Sequence, residues 1–170
     1  MQHHQTKVGP VWTQAKVDLP LLSADGRAVQ LVVRLDGQLK HLPKAVLQQK
    51  ILTLLQLWQQ QGVKVTQLEL DYDCASSQLG AYANWINELR QALPQTLALS
   101  ITALPDWLGK PGWHELQQQA DQLGVVPEPR ALIDEEPYQQ CDADKDADGT
   151  VCRAFIGLEH GKSPLLMETG

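Results

Sequence analysis

The sequence has no long hydrophobic run, few cysteines and no excess of positive charge. None of its apolar segments approaches the roughly 18 residues that a membrane-spanning helix needs, so no membrane span is predicted. The formal net charge is -6, which argues against nucleic acid and anionic membranes as partners. The three cysteines are an odd and sparse set that does not fix the redox compartment.

Signals for nucleotides and for export are also missing. The sequence contains neither G-x-G-x-x-G nor G-x-x-x-x-G-K-[ST], the phosphate-binding patterns of two large nucleotide-binding classes. The N-terminal stretch M-Q-H-H-Q-T-K-V-G-P has no hydrophobic segment, so we expect no signal peptide in the chain as given. The compartment and the oligomeric state stay open, and no cofactor is required by these patterns.

Residues 65–73, read as V-T-Q-L-E-L-D-Y-D, are the most informative stretch. Apolar and polar residues alternate strictly, which predicts a strand with Glu69, Asp71 and Asp73 on one face. Alternate residues of a strand lie about 6.5–7 Å apart, a workable spacing for a general acid and a base or nucleophile. The alternative is a polar stripe that faces solvent at a sheet edge.

Strand and helix patterns alternate around this stretch and predict an α/β fold. Strands are predicted over 29–36, 65–72 and 97–103, and helices over 43–61, 77–93 and 113–123. The strand ends recur about every 33 residues, which is the period of a βα unit. Each strand has one apolar and one polar face, so the pattern favours a partial (β/α) barrel of about three units over a doubly wound sheet. A complete barrel needs at least about 200 residues.

The flanking segments lack long apolar stripes. We expect an irregular N-terminal segment over 1–28, a partial barrel over 29–124, and an acidic tail over 125–170 that is mostly loop or disordered. Three prolines in V-V-P-E-P-R-A-L-I-D-E-E-P stand where a fourth strand would begin.

Residues from about 10 to 123 resemble the bacterial domain-of-unknown-function family 3142. The resemblance rests on L-V-V-R-L-D-G (31–37), L-E-L-D-Y-D-C (68–74) and L-S-I-T-A-L-P-D-W-L (99–108). The family is similar to glycoside hydrolases of the TIM-barrel type, and this likeness implies a carbohydrate-active barrel. The positions that carry over are Asp36, Asp71, Asp73, Thr102, Asp106 and Trp107.

The candidate site residues lie at predicted strand ends, where barrel enzymes place their chemistry. We predict Asp71 and Asp73 as the catalytic pair, with Asp71 as the protonated acid and Asp73 as its ionised partner. Predicted substrate-binding residues are Asp36, Arg34, Glu69, Thr102, Asp106 and Trp107. We expect an ion pair between Arg34 and Glu69 on neighbouring strands. Tyr72 and Trp107 are candidate sugar-stacking rings, with packing in the core or at the rim as the alternative.

The tail contains a candidate calcium motif, D-x-D-x-D-G-x-x-C over 144–152. Asp144, Asp146, Asp148 and the Thr150 carbonyl provide the oxygen ligands that calcium prefers. The motif is similar to the extracellular calcium-binding (excalibur) motif. Phe155 stands where an EF-hand has its bidentate glutamate, so we expect weak binding, and a solvated acidic tail is the alternative.

The leading functional hypothesis is a glycoside-hydrolase-like barrel segment that acts on a saccharide. The alternatives are a non-catalytic domain that binds a saccharide or another partner, with a calcium-binding tail, and an inactive truncated fragment. Whether the chain is an enzyme, and which sugar and bond it would recognise, stays open at this point.

Overall fold

The computed structural model describes residues 11–14, 16–37, 39, 41–125 and 151–159. Its strands are β1 (Val11–Gln14), β2 (Ala28–Leu35), β3 (Val65–Tyr72), β4 (Ala98–Ala103), β5 (Gln122–Val125) and β6 (Val151–Glu159). Its helices are α1 (Leu19–Asp25), α2 (Lys44–Gln60), α3 (Leu79–Ala92) and α4 (Trp113–Gln119). No helix in this part of the chain has the length and apolar character needed to cross a membrane.

The described strands form one mixed sheet in the order β1-β6-β2-β3-β4-β5. Neighbouring strands from β2 to β5 are parallel, which confirms the predicted adjacency of the three central strands. On the other side, β6 pairs parallel with β2, and β1 pairs antiparallel with β6. The carboxyl ends of β2, β3 and β4 therefore meet at one edge of the sheet.

The helices α2, α3 and α4 pack on one face of the sheet, as predicted. Because strand side chains alternate, β2, β3 and β4 each direct every second residue into a single hydrophobic core. The strands contribute, among others, Leu31, Val33, Leu68, Leu70, Leu99 and Ile101, and the helices contribute Leu47, Ile51, Leu79, Ile86, Trp113 and Leu116. Full burial of each such side chain stabilises the fold by about 1.5–3 kcal/mol.

The prediction of an irregular segment over 1–28 is wrong for β1 and α1. The sequence D-L-P-L-L-S-A-D-G around α1 contains a complete set of helix end signals. Asp18 accepts a hydrogen bond from the backbone N–H of Leu21 at 2.9 Å, and Pro20 lies in the first turn. Gly26 ends the helix in the left-handed conformation with φ 70°.

The prediction of a mostly irregular tail is wrong for β6, and the predicted third helix is too long. The helix α4 ends at Gln119, and the chain then forms β5 beside β4. The short strand β5 was missed because Leu123 also fits the helical stripe of the preceding residues. The strand β6 was missed because its place between β1 and β2 depends on pairing with residues more than a hundred positions away in the sequence.

Candidate functional site at the carboxyl end of the sheet

Polar side chains from β2, β3 and β4 lie on the sheet face opposite the helices, and we call this set of hydrogen-bonded side chains the polar layer. The layer begins near the carboxyl ends of the strands with Arg34, Asp71 and Thr102. Arg34 lies directly beside Asp71 in the register of β2 and β3. Thr102 follows Ile101, the partner of Leu70, so it lies beside Asp71 on the other side.

Asp71 is held from both sides. The hydroxyl of Thr102 donates a hydrogen bond to Asp71 Oδ1 at 2.8 Å. The guanidinium Nη1 of Arg34 lies 3.7 Å from Asp71 Oδ2, and 51% of the Arg34 side chain is exposed. Both partners can donate to the oxygens of Asp71. The arrangement fixes a carboxylate at the edge where parallel sheets place their ligands.

The predicted ion pair between Arg34 and Glu69 is wrong. The register sets Val32, not Arg34, beside Glu69, and Arg34 reaches Asp71 instead. Sequence alternation assigned Arg34 and Glu69 to the correct face, but the stagger between the two strands decides which carboxylate the guanidinium meets. Glu69 accepts a 2.6 Å hydrogen bond from the side-chain amide of Gln30.

Deeper in the layer, amides and a hydroxyl extend the hydrogen-bonded surface. The amide of Gln67 donates to Ser100 Oγ at 2.9 Å, and Ser100 Oγ lies 3.5 Å from the carbonyl oxygen of Leu68. Gln30 and Ser100 are each only 4% exposed. Sequence reasoning did not select Gln30, Gln67 or Ser100 as site residues. The signal was present, because each falls on the polar side of its strand and a buried polar side chain needs a partner.

Asp36 and Asp73 lie just beyond the ends of β2 and β3, and a glycine brings these two strand ends together. A Cβ added at Gly37 would stand 2.0 Å from the carbonyl oxygen of Asp73 and 3.4 Å from its Cβ. The backbone after β2 therefore touches the backbone at Asp73, and only a residue without a side chain fits. The contact fixes where Asp73 leaves the sheet.

Asp106 and Trp107 are neighbours in one turn, but only the side chain of Asp106 is exposed. Both belong to a 3₁₀ turn at Pro105–Trp107, after β4. Asp106 is exposed, whereas Trp107 is 1% exposed, and its indole Nε1 donates to the carbonyl oxygen of Cys74 at 3.0 Å. The ring of Trp107 is thus part of the core, and it does not present a face on which a sugar could stack.

Tyr72 is also a core residue and not a stacking surface. Its ring meets the ring of Tyr82 edge-on at 5.1 Å, and Tyr82 in turn contacts Trp85 and Trp107. Burial raises the pKa of Tyr72, and the nearby Cys74 thiol and Asp36 carboxylate raise it further. The rings of Tyr72, Tyr82, Trp85 and Trp107 thus pack together in the core, on the helix side of the sheet.

Cys74 lies next to Asp73 but is not suited to nucleophilic chemistry. The thiol is buried, and burial raises its pKa from 9.0 to about 12, with a further contribution from the Asp73 charge. Since the thiolate is the reactive form, this side chain stays protonated near neutral pH. Its chemical part in the site is the carbonyl that Trp107 binds.

The candidate calcium ligands Asp144, Asp146, Asp148 and Thr150 lie outside the described residues. Within the described part of the chain, no group of three or more His, Cys, Asp or Glu side chains is arranged to hold a metal ion.

One protein family matches most of this structure. The family described as a domain of unknown function (DUF3142) matches residues 25–137. The chain belongs to this family. No curated protein and no solved structure matches the chain. The DUF3142 match contains Arg34, Asp71, Asp73 and Thr102, so the polar layer and both strand ends lie within it. The candidate calcium motif lies beyond it.

Proposed function

We propose that this DUF3142 domain is carbohydrate-active and that the carboxyl end of its polar layer binds a saccharide. The observation that carries the proposal is the fixed Asp71 carboxylate, bonded to Thr102 and paired with Arg34, on the sheet face opposite the helices. Carboxylates, amides and hydroxyls are the side-chain groups that can donate to and accept from sugar hydroxyls. The layer supplies all three kinds within a few residues of one another.

The proposed architecture is a segment of a (β/α) barrel. Parallel strands from β2 to β5 with α2, α3 and α4 on one face are the arrangement of such a barrel. In that fold the face opposite the helices is the barrel interior, and chemistry occurs at the carboxyl ends of the strands. Asp36, Asp71 and Asp73 lie at that position, and Asp106 lies in the loop beyond β4.

We propose glycoside hydrolysis as the reaction, with Asp71 and Asp73 as the two carboxyl groups. Asp71 lies in β3 and Asp73 follows directly after its end. Alternate residues of an extended chain are about 6.5–7 Å apart, which is compatible with the separation of an acid and a base in this reaction. In this proposal Arg34, Glu69 and Asp36 contact sugar hydroxyls around the pair, and Asp106 contacts them from the loop. Trp107 takes no part in binding, because its ring is buried.

The test is a reducing-end assay on a panel of polysaccharides with the wild-type chain and two nearly isosteric variants. Asp71→Asn and Asp73→Asn should each lower turnover by at least about 100-fold, the range expected when an acid or base is lost. Glu88→Gln, an exposed change on α3, is the matched control and should retain full activity. Wild-type turnover in a folded double variant would rule out the assignment.

A non-catalytic saccharide-binding domain is the second candidate, and one observation favours it. Both oxygens of Asp71, and one oxygen of Glu69, already have partners within the protein. Such a layer can recognise hydroxyls without transferring a proton. Binding of an oligosaccharide by calorimetry, together with no product after prolonged incubation, would support this candidate over hydrolysis.

A further inference from the structure

The two oxygens of Asp71 contact two different side chains, and the two contacts differ in length and in kind. Thr102 donates a hydrogen bond of 2.8 Å to Oδ1. Arg34 approaches Oδ2 only to 3.7 Å, which is beyond hydrogen-bond length but within the range of a charge contact. Thr102 therefore sets the orientation of the carboxylate, while Arg34 supplies positive charge from a half-exposed position.

Thr102 is well suited to orient a neighbouring group. It is β-branched, so its side chain has few rotamers, and it sits in the regular part of β4. Because Leu70 of β3 pairs with Ile101 of β4, the next residues of the two strands, Asp71 and Thr102, lie side by side in the sheet. A bond of this kind selects one rotamer of the aspartate.

We propose that Thr102 is a positioning residue that holds the Asp71 carboxyl in one rotamer, with Oδ1 toward Thr102 and Oδ2 toward Arg34. This inference rests on the proposed function. A carboxyl held in this way needs no reorientation when the substrate binds.

The experiment compares Thr102→Val, which removes the hydroxyl and keeps the shape, with Thr102→Ser, which keeps the hydroxyl. The rotamer population of Asp71 is measured in the free protein by NMR three-bond couplings, a readout that needs no activity. Wild type and Thr102→Ser should show one rotamer, and Thr102→Val should show averaging. On a hydrolysed glycan, Thr102→Val should lower kcat on the order of 10–100-fold with little change in KM, and Thr102→Ser should restore kcat.

The outcomes separate this inference from the function on which it rests. A single Asp71 rotamer in Thr102→Val, in a variant shown by urea denaturation to be folded, overturns the positioning role whatever the activity. If the wild type hydrolyses no glycan, the proposed reaction fails, and the couplings still decide the positioning role.

Discussion

Replacing Gly37 by alanine tests whether the two strand ends touch as the structure shows. The added Cβ would lie 2.0 Å from the carbonyl oxygen of Asp73, whereas ordinary contact begins at 3.4 Å, so one of the two must retreat by about 1.4 Å. Gly37 is not among the glycines with positive φ, so its backbone conformation does not oppose the change. The expected effect is therefore due to the close approach alone.

The expected change in the free energy of unfolding of Gly37→Ala is the difference between two opposing effects. Overpacking of this kind costs about 1–3 kcal/mol, and the reduced freedom of the unfolded chain returns about 0.4–1 kcal/mol. We expect Gly37→Ala to lower the free energy of unfolding by about 1–2 kcal/mol, which corresponds to a fall in Tm of roughly 2–8 °C for a chain of this size.

The matched control is Gly80→Ala in the first turn of α3. A Cβ at Gly80 would meet no atom within 4 Å, and alanine is the better helix former by up to about 1 kcal/mol. The midpoint of urea denaturation should therefore be lower than that of wild type for Gly37→Ala, and equal or higher for Gly80→Ala. Equal stability of Gly37→Ala and wild type, with an unshifted backbone amide resonance for Asp73, would refute the contact.

Three further outcomes are expected. In urea denaturation, Trp107→Phe should destabilise the fold by about 1–2 kcal/mol more than Trp85→Phe. The first change leaves the Cys74 carbonyl without its donor, whereas the second removes a buried Nε1 that has no partner among the described residues. Equal losses of stability would contradict this prediction. Between pH 9 and 12 Cys74 should lower stability by up to about 1.4 kcal/mol per pH unit, since its raised pKa of about 12 in the folded chain lets the unfolded chain lose that proton first. Cys74→Ala should remove this part of the slope, and the part above about pH 10 that comes from the raised pKa of Tyr72 should remain. Calorimetry at millimolar calcium should detect weak binding that Asp146→Ala abolishes, and the absence of heat in both would remove the motif.

Local alternation in the sequence determined which side of each central strand is polar. Leu68 and Leu70 face the helices while Glu69 and Asp71 face the other way, because a strand side-chain period of two leaves no other choice once one face is buried. The recurrence of βα units likewise made the parallel order of β2, β3 and β4 predictable. Gln30, Gln67 and Ser100 could have been found by the same rule.

Only the tertiary structure decided which polar groups meet and which aromatic rings are buried. The stagger of β2 against β3 sets Arg34 beside Asp71 and Gln30 beside Gln67, from where the Gln30 amide reaches Glu69 diagonally. A shift of two residues would bring Arg34 to Glu69 without changing either face. The buried ring of Trp107 packs against Tyr82 and donates a hydrogen bond to the carbonyl oxygen of Cys74, thirty-three positions earlier in the chain. The insertion of β6 between β1 and β2 and the contact of Gly37 with Asp73 are likewise long-range. Such contacts depend on how separate segments align in space, and local residue preferences carry no information about that alignment.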